Sequence, residues 1–398
     1  MKKILLLLAC ASIVACSYRE RLSHFLHDFE ELAKERVYLE HVTNFTVISA
    51  MRIYVRIELQ SKVFHATMQP HTSLFHPELT VKHKFKDGEK LGSVNLDEHF
   101  EGSLVGEPSS QVLFHIKDNI VTGSIQVSDH EKYFIEPSQK HINEPHDFHM
   151  IVYKLSDVKF NFTKPDEDEG HFCGHESHEG QSGFSENDFE FMIPKTPIND
   201  QDGFEYYRRK RDAEQKTVCP IALIADYKFY ELHGKDEGVT INYMINLVQQ
   251  VDALYRRQSL DPSGGEEYKN FGFSVKSIQV IMDDSEEDTK SYKYVGDSRG
   301  VSDLLKSFAF GNWRPAYCLA HLFTNYDFSG GVLGLAYVGN PASNRVGGIC
   351  TMKYPDPTTG VLKSLNVGLS SANNYGRTLL SSELLFVTGN LVHSPSHT

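Results

Sequence analysis

One short loop gathers the residue types that bind metals. The stretch GHFCGHESHEG, residues 170–180, places Cys173 among His171, His175 and His178. Because thiolate sulfur and imidazole nitrogen are preferred zinc ligands, these four side chains could hold a zinc ion of their own. Structural zinc sites usually space two ligand pairs around a folded element, whereas these ligands crowd onto one loop. Three interpretations stay open: a local zinc site, a thiol meant for a metal held elsewhere in the chain, and an exposed loop without chemistry.

A block of four basic residues follows at the end of the same acidic segment. Residues 164–211 are rich in acid, glycine and serine and show little periodicity, which predicts an exposed linker. The block consists of Arg208, Arg209, Lys210 and Arg211. It could be a solvated charge run. An accessible basic block in an acidic secreted protein nevertheless favours a proprotein convertase as partner, with cleavage after the last arginine.

Composition and charge limit the classes of function. The formal net charge is −13 over 398 residues, which argues against nucleic acid as a partner because phosphate binding needs a basic surface. A hydrophobic fraction of 40% is that of a folded protein, and the length allows two domains with separate cores. No apolar run reaches the roughly 18–20 residues that span a bilayer, so the sequence predicts no transmembrane segment in this chain.

The first 16 residues have the pattern of a secretory signal peptide. Two lysines precede an apolar run that is too short for a membrane span, and small residues follow. We therefore expect the protein to enter the secretory pathway and to be secreted. The alternative is a bacterial lipoprotein box that ends at Cys16. Two sequons, at Asn44 and Asn161, fit the secretory route as glycosylation sites.

Four cysteines remain after this leader: Cys173, Cys219, Cys318 and Cys350. In an oxidising compartment they could form two bridges with three possible connectivities. Spacing alone does not choose among these.

The two parts of the chain show different periodicities, which together predict an α+β fold. Residues 17–163 alternate apolar and polar side chains over short runs, as in Arg52–Leu59 and in three runs between residues 111 and 137. These three runs are predicted strands that turns at Asp118-Asn119 and at residues 128–130 join. This pattern predicts a β-rich first domain with an antiparallel sheet and no catalytic constellation. Residues 212–398 instead alternate strand and helix patterns, which predicts a mixed, mostly parallel sheet with helices.

The elements of the second domain follow from apolar runs and helical spacing. A long helix beginning near residue 240 carries apolar residues every three or four positions, so one side of it should face the core. Close glycines in VLGLAYVG suit an edge strand that another backbone approaches. The other predicted elements are strands at Val218–Asp226, Phe273–Asp283 and Cys318–Thr324, a short helix at residues 301–310, and a further strand in NVGLSSANN.

Several of these segments, in this order and spacing, resemble the ADAM family of reprolysin-type zinc metalloendopeptidases. They are CPIALIADYKFY, TINYMINLVQQVDALY, CLAHLFTNYDFSGGVLGLAYVG, GGIC and LNVGLSSANNYGRTLL, with GEPSSQVLFHIKDN and FIEP nearer the N-terminus. The resemblance covers about residues 50–383. It implies a prodomain over residues 17–163, a metzincin-like α/β catalytic domain from residue 212, and zinc as cofactor. For a complete enzyme it implies a single-pass membrane protein that cuts ectodomains from other membrane proteins.

The resemblance also assigns roles to individual residues. A prodomain Cys-Gly motif, Cys173 with Gly174, would supply a thiolate that occupies the open position on the catalytic zinc and inhibits the enzyme. This motif departs from the family pattern in its flanking residues. A disulfide is implied between Cys219 and Cys318, whereas Cys350 would pair with a cysteine that this sequence does not contain.

The resemblance further implies an edge strand beside the substrate cleft. Leu333 and Gly334 match the strand that hydrogen-bonds an extended peptide substrate.

The zinc motif of the family does not occur in the sequence. Catalysis in the family rests on HExxHxxGxxH, in which two histidines one helical turn apart bind zinc and the glutamate takes a proton from bound water. No HExxH is present, so we predict no catalytic residue and no zinc ligand in residues 212–398. His393 and His397 are four residues apart, but Ser394 takes the place of the glutamate and Pro395 would break the helix between them.

The resemblance lapses after Glu383, as at a splice junction, a retained intron or a faulty gene model. We therefore expect a truncated protease domain without its active-site helix, and an apolar face of the sheet that is left uncovered. The sequence predicts a zymogen-like chain of sheddase lineage that binds no zinc and hydrolyses no peptide bond. The alternative is a secreted prodomain or pseudoprotease that acts as chaperone or inhibitor of the full-length enzyme.

Overall fold

The computed structural model describes residues 18–43, 51–160, 218–257, 270–284, 300–313, 315–337, 347–356 and 359–392. The predicted linker at 164–211 lies outside these residues, and so do Cys173 and the basic block within it. The sequons at Asn44 and Asn161 and the pair His393 and His397 also lie outside them. The domain boundaries and the roles assigned to these residues therefore stay predictions.

Eleven strands occupy the first half, the name used below for residues 18–160. Buried Ile53, Val55 and Ile57 alternate with exposed Arg52 and Tyr54, because successive side chains of a strand point to opposite faces. The strands are β1 (Glu30–Leu32), β2 (Val37–Thr43), β3 (Met51–Glu58), β4 (Val63–Pro70), β5 (Phe75–Phe85), β6 (Gly88–Gly92), β7 (His99–Leu104), β8 (Glu107–Lys117), β9 (Ile120–Ser128), β10 (Glu131–Pro137) and β11 (Met150–Lys154).

Nine of these strands form one antiparallel sheet in the order β1-β11-β10-β9-β8-β7-β4-β3-β2. Asp118 and Asn119 form the turn between β8 and β9 with φ of 50° and 59°. Both angles lie in the left-handed region that a tight hairpin needs and that asparagine and aspartate tolerate best among non-glycine residues. The hairpin predicted at these residues is therefore present.

The second half, the name used below for residues 218–392, alternates strands and helices. Its helices are α1 (Tyr227–Leu232), α2 (Glu237–Arg257), α3 (Val301–Ala309) and α4 (Ser381–Val392). Its strands are β12 (Val218–Ala225), β13 (Gly272–Ile281), β14 (Leu319–Thr324), β15 (Gly334–Ala336), β16 (Lys353–Pro355), β17 (Leu362–Ser364), β18 (Val367–Ser371), β19 (Asn373–Asn374) and β20 (Arg377–Thr378). Together with the first half they make a β-rich α+β protein, which confirms the predicted class.

A seven-stranded sheet runs through the second half in the order β15-β18-β14-β12-β13-β5-β6. The four inner pairings, from β18 through β14, β12 and β13 to β5, are parallel, and the two edge pairings are antiparallel. Strand β12 is apolar from Ile221 to Ala225 because helices cover both faces of a parallel sheet.

Two strands of this sheet come from the first half, which the sequence patterns did not indicate. Strand β5 pairs in parallel with β13, from Phe75 opposite Val275 to Lys84 opposite Ile281, with one register shift between them. Strand β6 then pairs antiparallel with β5 at the sheet edge. The two halves therefore share a sheet as well as a packing surface.

Helix α4 lies where the sequence predicted an uncovered sheet. Its side chains Leu384, Leu385 and Val387 are buried in the main core together with Leu380, which precedes it. The helix packs on β18, β15 and α2. The expectation that the apolar face would lack a covering helix was wrong, because Leu384, Leu385 and Val387 of this segment pack there.

Within the described parts of the chain, no helix is both long and apolar enough to cross a membrane.

Candidate functional site

Glu136, near the end of β10, lies at the centre of the contact between the two halves. Its side chain is fully buried and accepts five hydrogen bonds, one of them from His141 Nε2 at 3.2 Å. Tyr153 Oη donates at 2.6 Å and Lys140 Nζ at 2.8 Å from the first half. Ser381 of the second half donates through its hydroxyl at 2.8 Å and its backbone N–H at 3.2 Å. One carboxylate thus joins both halves.

Glu136 remains charged in spite of its burial. Burial alone would raise the pKa of its carboxyl, but Lys140 and His141 outweigh burial and hold that pKa well below its usual range. Burial likewise acts to lower the pKa of Lys140, and the Glu136 charge raises it instead. For His141 burial prevails and lowers the pKa, so His141 contributes a neutral ring N–H. The pair is therefore a buried ion pair whose hydrogen-bonding capacity is used.

This carboxylate also caps the N-terminus of a helix of the other half. Ser381 is the first residue of α4, where backbone N–H groups have no partner within the helix and the helix dipole is positive. Glu136 accepts one of these N–H groups, and Tyr153 Oη lies 3.4 Å from the next, that of Ser382. Within the second half, Glu383 accepts from the N–H of Leu380 at 2.8 Å. The start of α4 is therefore completed from both halves.

Helix α2 buries polar side chains against the first half. Asn246 donates to the carbonyl of Thr122 at 2.9 Å, and Gln249 donates to the carbonyl of Phe100 at 2.8 Å. Gln250 donates to Asn246 at 3.0 Å and so fixes its orientation. The sequence predicted one core-facing side for this helix, but its polar side is also buried, because amides satisfy backbone carbonyls of the neighbouring sheet.

Three buried histidines adjoin the same helix. His99 Nε2 lies 3.1 Å from Asn242 Oδ1 of α2, and the His99 and His115 rings are 4.9 Å apart. Burial lowers the pKa of His71 to about 4 and that of His99 to about 3. Burial lowers the pKa of His115 as well, although its neighbour Glu98 opposes this effect. At neutral pH the three rings are therefore uncharged members of the interface.

The predicted substrate edge occupies one end of the second sheet. Gly334 begins β15, and Leu333 immediately before it is fully buried while its carbonyl accepts from Ser371 N at 2.7 Å. Strand β15 pairs antiparallel with β18 and comes last in the strand order of the described residues. This position is compatible with strand addition by an extended peptide, and that role stays a prediction.

The cysteines of the second half meet at the start of β14. Cys219 of β12 and Cys318 form a disulfide, the pairing that the family resemblance implied. The Cys350 Sγ lies 2.9 Å from Cys318 Sγ.

Comparison with known proteins gives the lineage. A family model described as metallo-peptidase family M12 matches residues 215–372. Disintegrin and metalloproteinase domain-containing protein 10 of Homo sapiens is 27% identical over 387 residues, which cover 94% of this chain and 49% of that protein. Its Xenopus laevis counterpart is 26% identical over 392 residues, with the same coverages. The disintegrin and metalloproteinase domain-containing protein 17 homolog of Caenorhabditis elegans is 26% identical over 342 residues, which cover 81% of this chain and 46% of that protein.

This chain is similar to ADAM-type metallopeptidases over 94% of its length. It spans about half the length of the curated ADAM relatives that it matches. Within the family, the sequence motifs favour the tumour-necrosis-factor-α converting enzyme, and that finer placement stays a prediction.

ADAM-type metallopeptidases depend on zinc, but the described residues do not fit this metal. Helix α4, SSELLFVTGNLV, contains no histidine, and its one carboxylate, Glu383, is buried and binds Arg377 through both oxygens at 2.8 Å. Among the residues that the structure describes, no cluster of three or more histidine, cysteine or acidic side chains could hold a metal. We therefore derive no reaction step through zinc.

Sequence reasoning missed the residues that hold the two halves of the chain together. Glu136 belongs to FIEP, which was noted only for its family resemblance. One signal was available in α2, where Asn242, Asn246, Gln249 and Gln250 occupy the side opposite the apolar stripe. Amides on that side, in place of lysines and glutamates, indicate a helix face that is buried against backbone groups.

Proposed function

We propose that this chain is the pro-region and metallopeptidase portion of an ADAM-type zinc endopeptidase of sheddase lineage, in a latent, non-hydrolysing form. The observation that carries the proposal is the contact between the halves: Glu136 of the first half caps α4 of the second. The shared sheet also supports the proposal, since that sheet is complete only when β5 of the first half pairs with β13 of the second half. A pro-region joined in this way acts as a folding partner for the metallopeptidase half.

Absence of hydrolysis is the second element of the proposal. The sequence given contains no HExxH, so it offers neither the paired histidines nor the glutamate that would activate water. We expect the purified chain, supplied with zinc, to leave a library of quenched fluorescent peptides uncut before and after cleavage at the basic block. Hydrolysis that a chelator abolishes and zinc restores would overturn the proposal.

Other properties of the proposal follow from the sequence. A convertase would cut after Arg211, Asn44 and Asn161 would carry glycans, and the product would be secreted. Action on membrane-protein ectodomains would belong to a complete enzyme only.

A second candidate function is inhibition or chaperoning of an intact relative in trans. The buried polar contacts favour it, because the first half presents groups that match the start of α4 and the amide side of α2. The Cys173 thiol would add a ligand for the relative's zinc. We expect the purified chain to inhibit such a protease.

Two variants separate the parts of this candidate. Cys173→Ala should weaken the inhibition if the thiol binds zinc, and Glu136→Gln should weaken it if the first half engages the relative through its α4 counterpart. Inhibition that neither substitution changes would contradict the candidate.

A further inference from the structure

A third cysteine contacts the disulfide of the second half. The Cys350 Sγ is 2.9 Å from the Sγ of Cys318, which is itself bonded to Cys219. Cys350 is exposed, whereas Cys318 is 6% and Cys219 2% exposed. One thiol therefore reaches solvent on one side and a buried disulfide sulfur on the other.

The backbone holds Cys350 in this position. Its N–H donates to the carbonyl of Cys318 at 2.9 Å, and the residue lies in the left-handed region with φ of 62°. That conformation is unfavourable for a residue with a Cβ and persists only where neighbouring contacts impose it.

The turn around it supplies those contacts. Thr351 Oγ donates to the carbonyl of Gly347 at 2.5 Å, and Gly348 N donates to the carbonyl of Leu365 at 3.2 Å. On the other side, Asn366 Nδ2 donates to the carbonyl of Cys318 at 3.1 Å. The meeting of the three sulfurs is therefore built into the fold of residues 347–366.

We propose that Cys219, Cys318 and Cys350 form a thiol–disulfide exchange site with two alternative bridges. The Cys350 thiolate attacks Cys318 Sγ, the Cys350–Cys318 bond forms, and the Cys219–Cys318 bond breaks. Cys219 leaves as a thiolate and takes up the proton that Cys350 lost. The exchange is neutral in electrons, so no external oxidant or reductant takes part.

The two bridges constrain the chain differently. The Cys219–Cys318 bridge spans 99 residues and ties the central strand β12 to β14. The Cys318–Cys350 bridge would span 32 residues and tie β14 to the turn at residues 347–351. The fold is built with the first bridge, so that bridge should be the major form at equilibrium. Exchange would release β12 from its covalent tie.

Acid-quenched peptide mapping tests the exchange. The full chain carries Cys173→Ser throughout, so that this thiol cannot enter the reaction. The protein is held at pH 8.5 or pH 6.5, quenched in acid, denatured, alkylated with a maleimide and digested without reduction. We expect a Cys318–Cys350 peptide together with alkylated Cys219, and faster appearance of both at the higher pH because the thiolate is the attacking species.

Two matched variants complete the design. Cys350→Ser should abolish alkylation of Cys219 and leave only the Cys219–Cys318 peptide. The Cys219→Ser protein, kept in a glutathione redox buffer, should form the Cys318–Cys350 bridge, so that the maleimide labels neither Cys318 nor Cys350. Absence of any alkylated Cys219 and of any Cys318–Cys350 peptide after hours at pH 8.5 would overturn the proposal. Labelling of both Cys318 and Cys350 in the Cys219→Ser protein would overturn it too, and so would a bridge from Cys350 to any other cysteine.

Discussion

At the scale of single residues, the buried Glu136 carboxylate has two structural roles. It neutralises Lys140 inside the first half and accepts the first N–H of α4 in the second half. A buried ion pair of this kind adds little net stability over an apolar substitute, but losing one partner leaves an uncompensated charge. The contact therefore specifies how the halves meet and makes that arrangement sensitive to single substitutions.

Glu136→Gln should lower the free energy of unfolding by about 3–5 kcal/mol, because Lys140 stays buried without a counter-charge. Guanidinium unfolding monitored by fluorescence measures the change. Glu144→Gln is the matched control, since Glu144 pairs with Arg21 on the surface and should leave the unfolding curve almost unchanged. Equal curves for the Glu136 variant and the wild type would show that the buried carboxylate does not hold the interface.

The buried histidines should make the protein less stable in acid. His99 has a folded-state pKa of about 3, below the value near 6.5 in an unfolded chain. The unfolded state therefore binds a proton first, and stability falls as the pH drops from about 6.5 towards 3. For His99 alone the loss between pH 6.5 and pH 5 is about 2 kcal/mol.

Unfolding curves at the two pH values test this expectation. His99→Gln should lose less stability on acidification than the wild type does, and the exposed His24→Gln should behave like the wild type. A wild-type free energy of unfolding that stays constant from pH 6.5 to pH 5 would contradict it.

Family resemblance and local sequence patterns predicted some of these positions and not others. The disulfide between Cys219 and Cys318 followed from family resemblance, and the hairpin at Asp118 and Asn119 followed from turn chemistry. The Glu136 contact could not be predicted, because its partners lie 4, 17 and 245 residues away and no local pattern joins them.

At the scale of elements, β5 is the strand that makes one sheet out of two halves. Val81, in the middle of β5, is buried in the main core at 6% exposure, opposite Ile278 of β13. On the neighbouring strand β6, Leu91 is 79% exposed. These two positions allow the packing role of the hairpin to be tested without changing its turn.

Val81→Asp should lower the free energy of unfolding by about 3–5 kcal/mol, because it places an unpaired charge between the halves. Leu91→Asp should change it by no more than about 0.5 kcal/mol. Chemical denaturation of both variants supplies the comparison. Similar stabilities for the two variants would mean that β5 contributes nothing to the shared core.

Elements with a clear local period were predictable, and those defined by distant partners were not. The alternation in β3 and the helical spacing in α2 predicted bounds for both elements that are close to the observed ones. The parallel pairing of β5 with β13 joins residues about 197 positions apart, so it leaves no local signal. Helix α4 was missed because its described side chains are all buried, polar and apolar alike, so they show no amphipathic period. These side chains are those of Ser381, Ser382, Glu383, Leu384, Leu385, Val387 and Thr388.

At the scale of the whole molecule, three kinds of contact join the two halves. The shared sheet, the α4 cap and the amide contacts of α2 are spread over the interface, and none of them depends on the chain connection between the halves. Such contacts should persist when the connection is cut. They should weaken in acid, where the interface histidines gain charge.

The most direct test of this account is the behaviour of the chain after cleavage at Arg211. We predict that the two fragments elute together from a size-exclusion column at micromolar concentration and pH 7.5, since the buried contacts do not depend on the intact connection. Glu136→Gln should make the two fragments elute separately. Fragments that separate at once in the wild-type protein, each with a stable fold, would contradict the claim that the first half completes the second.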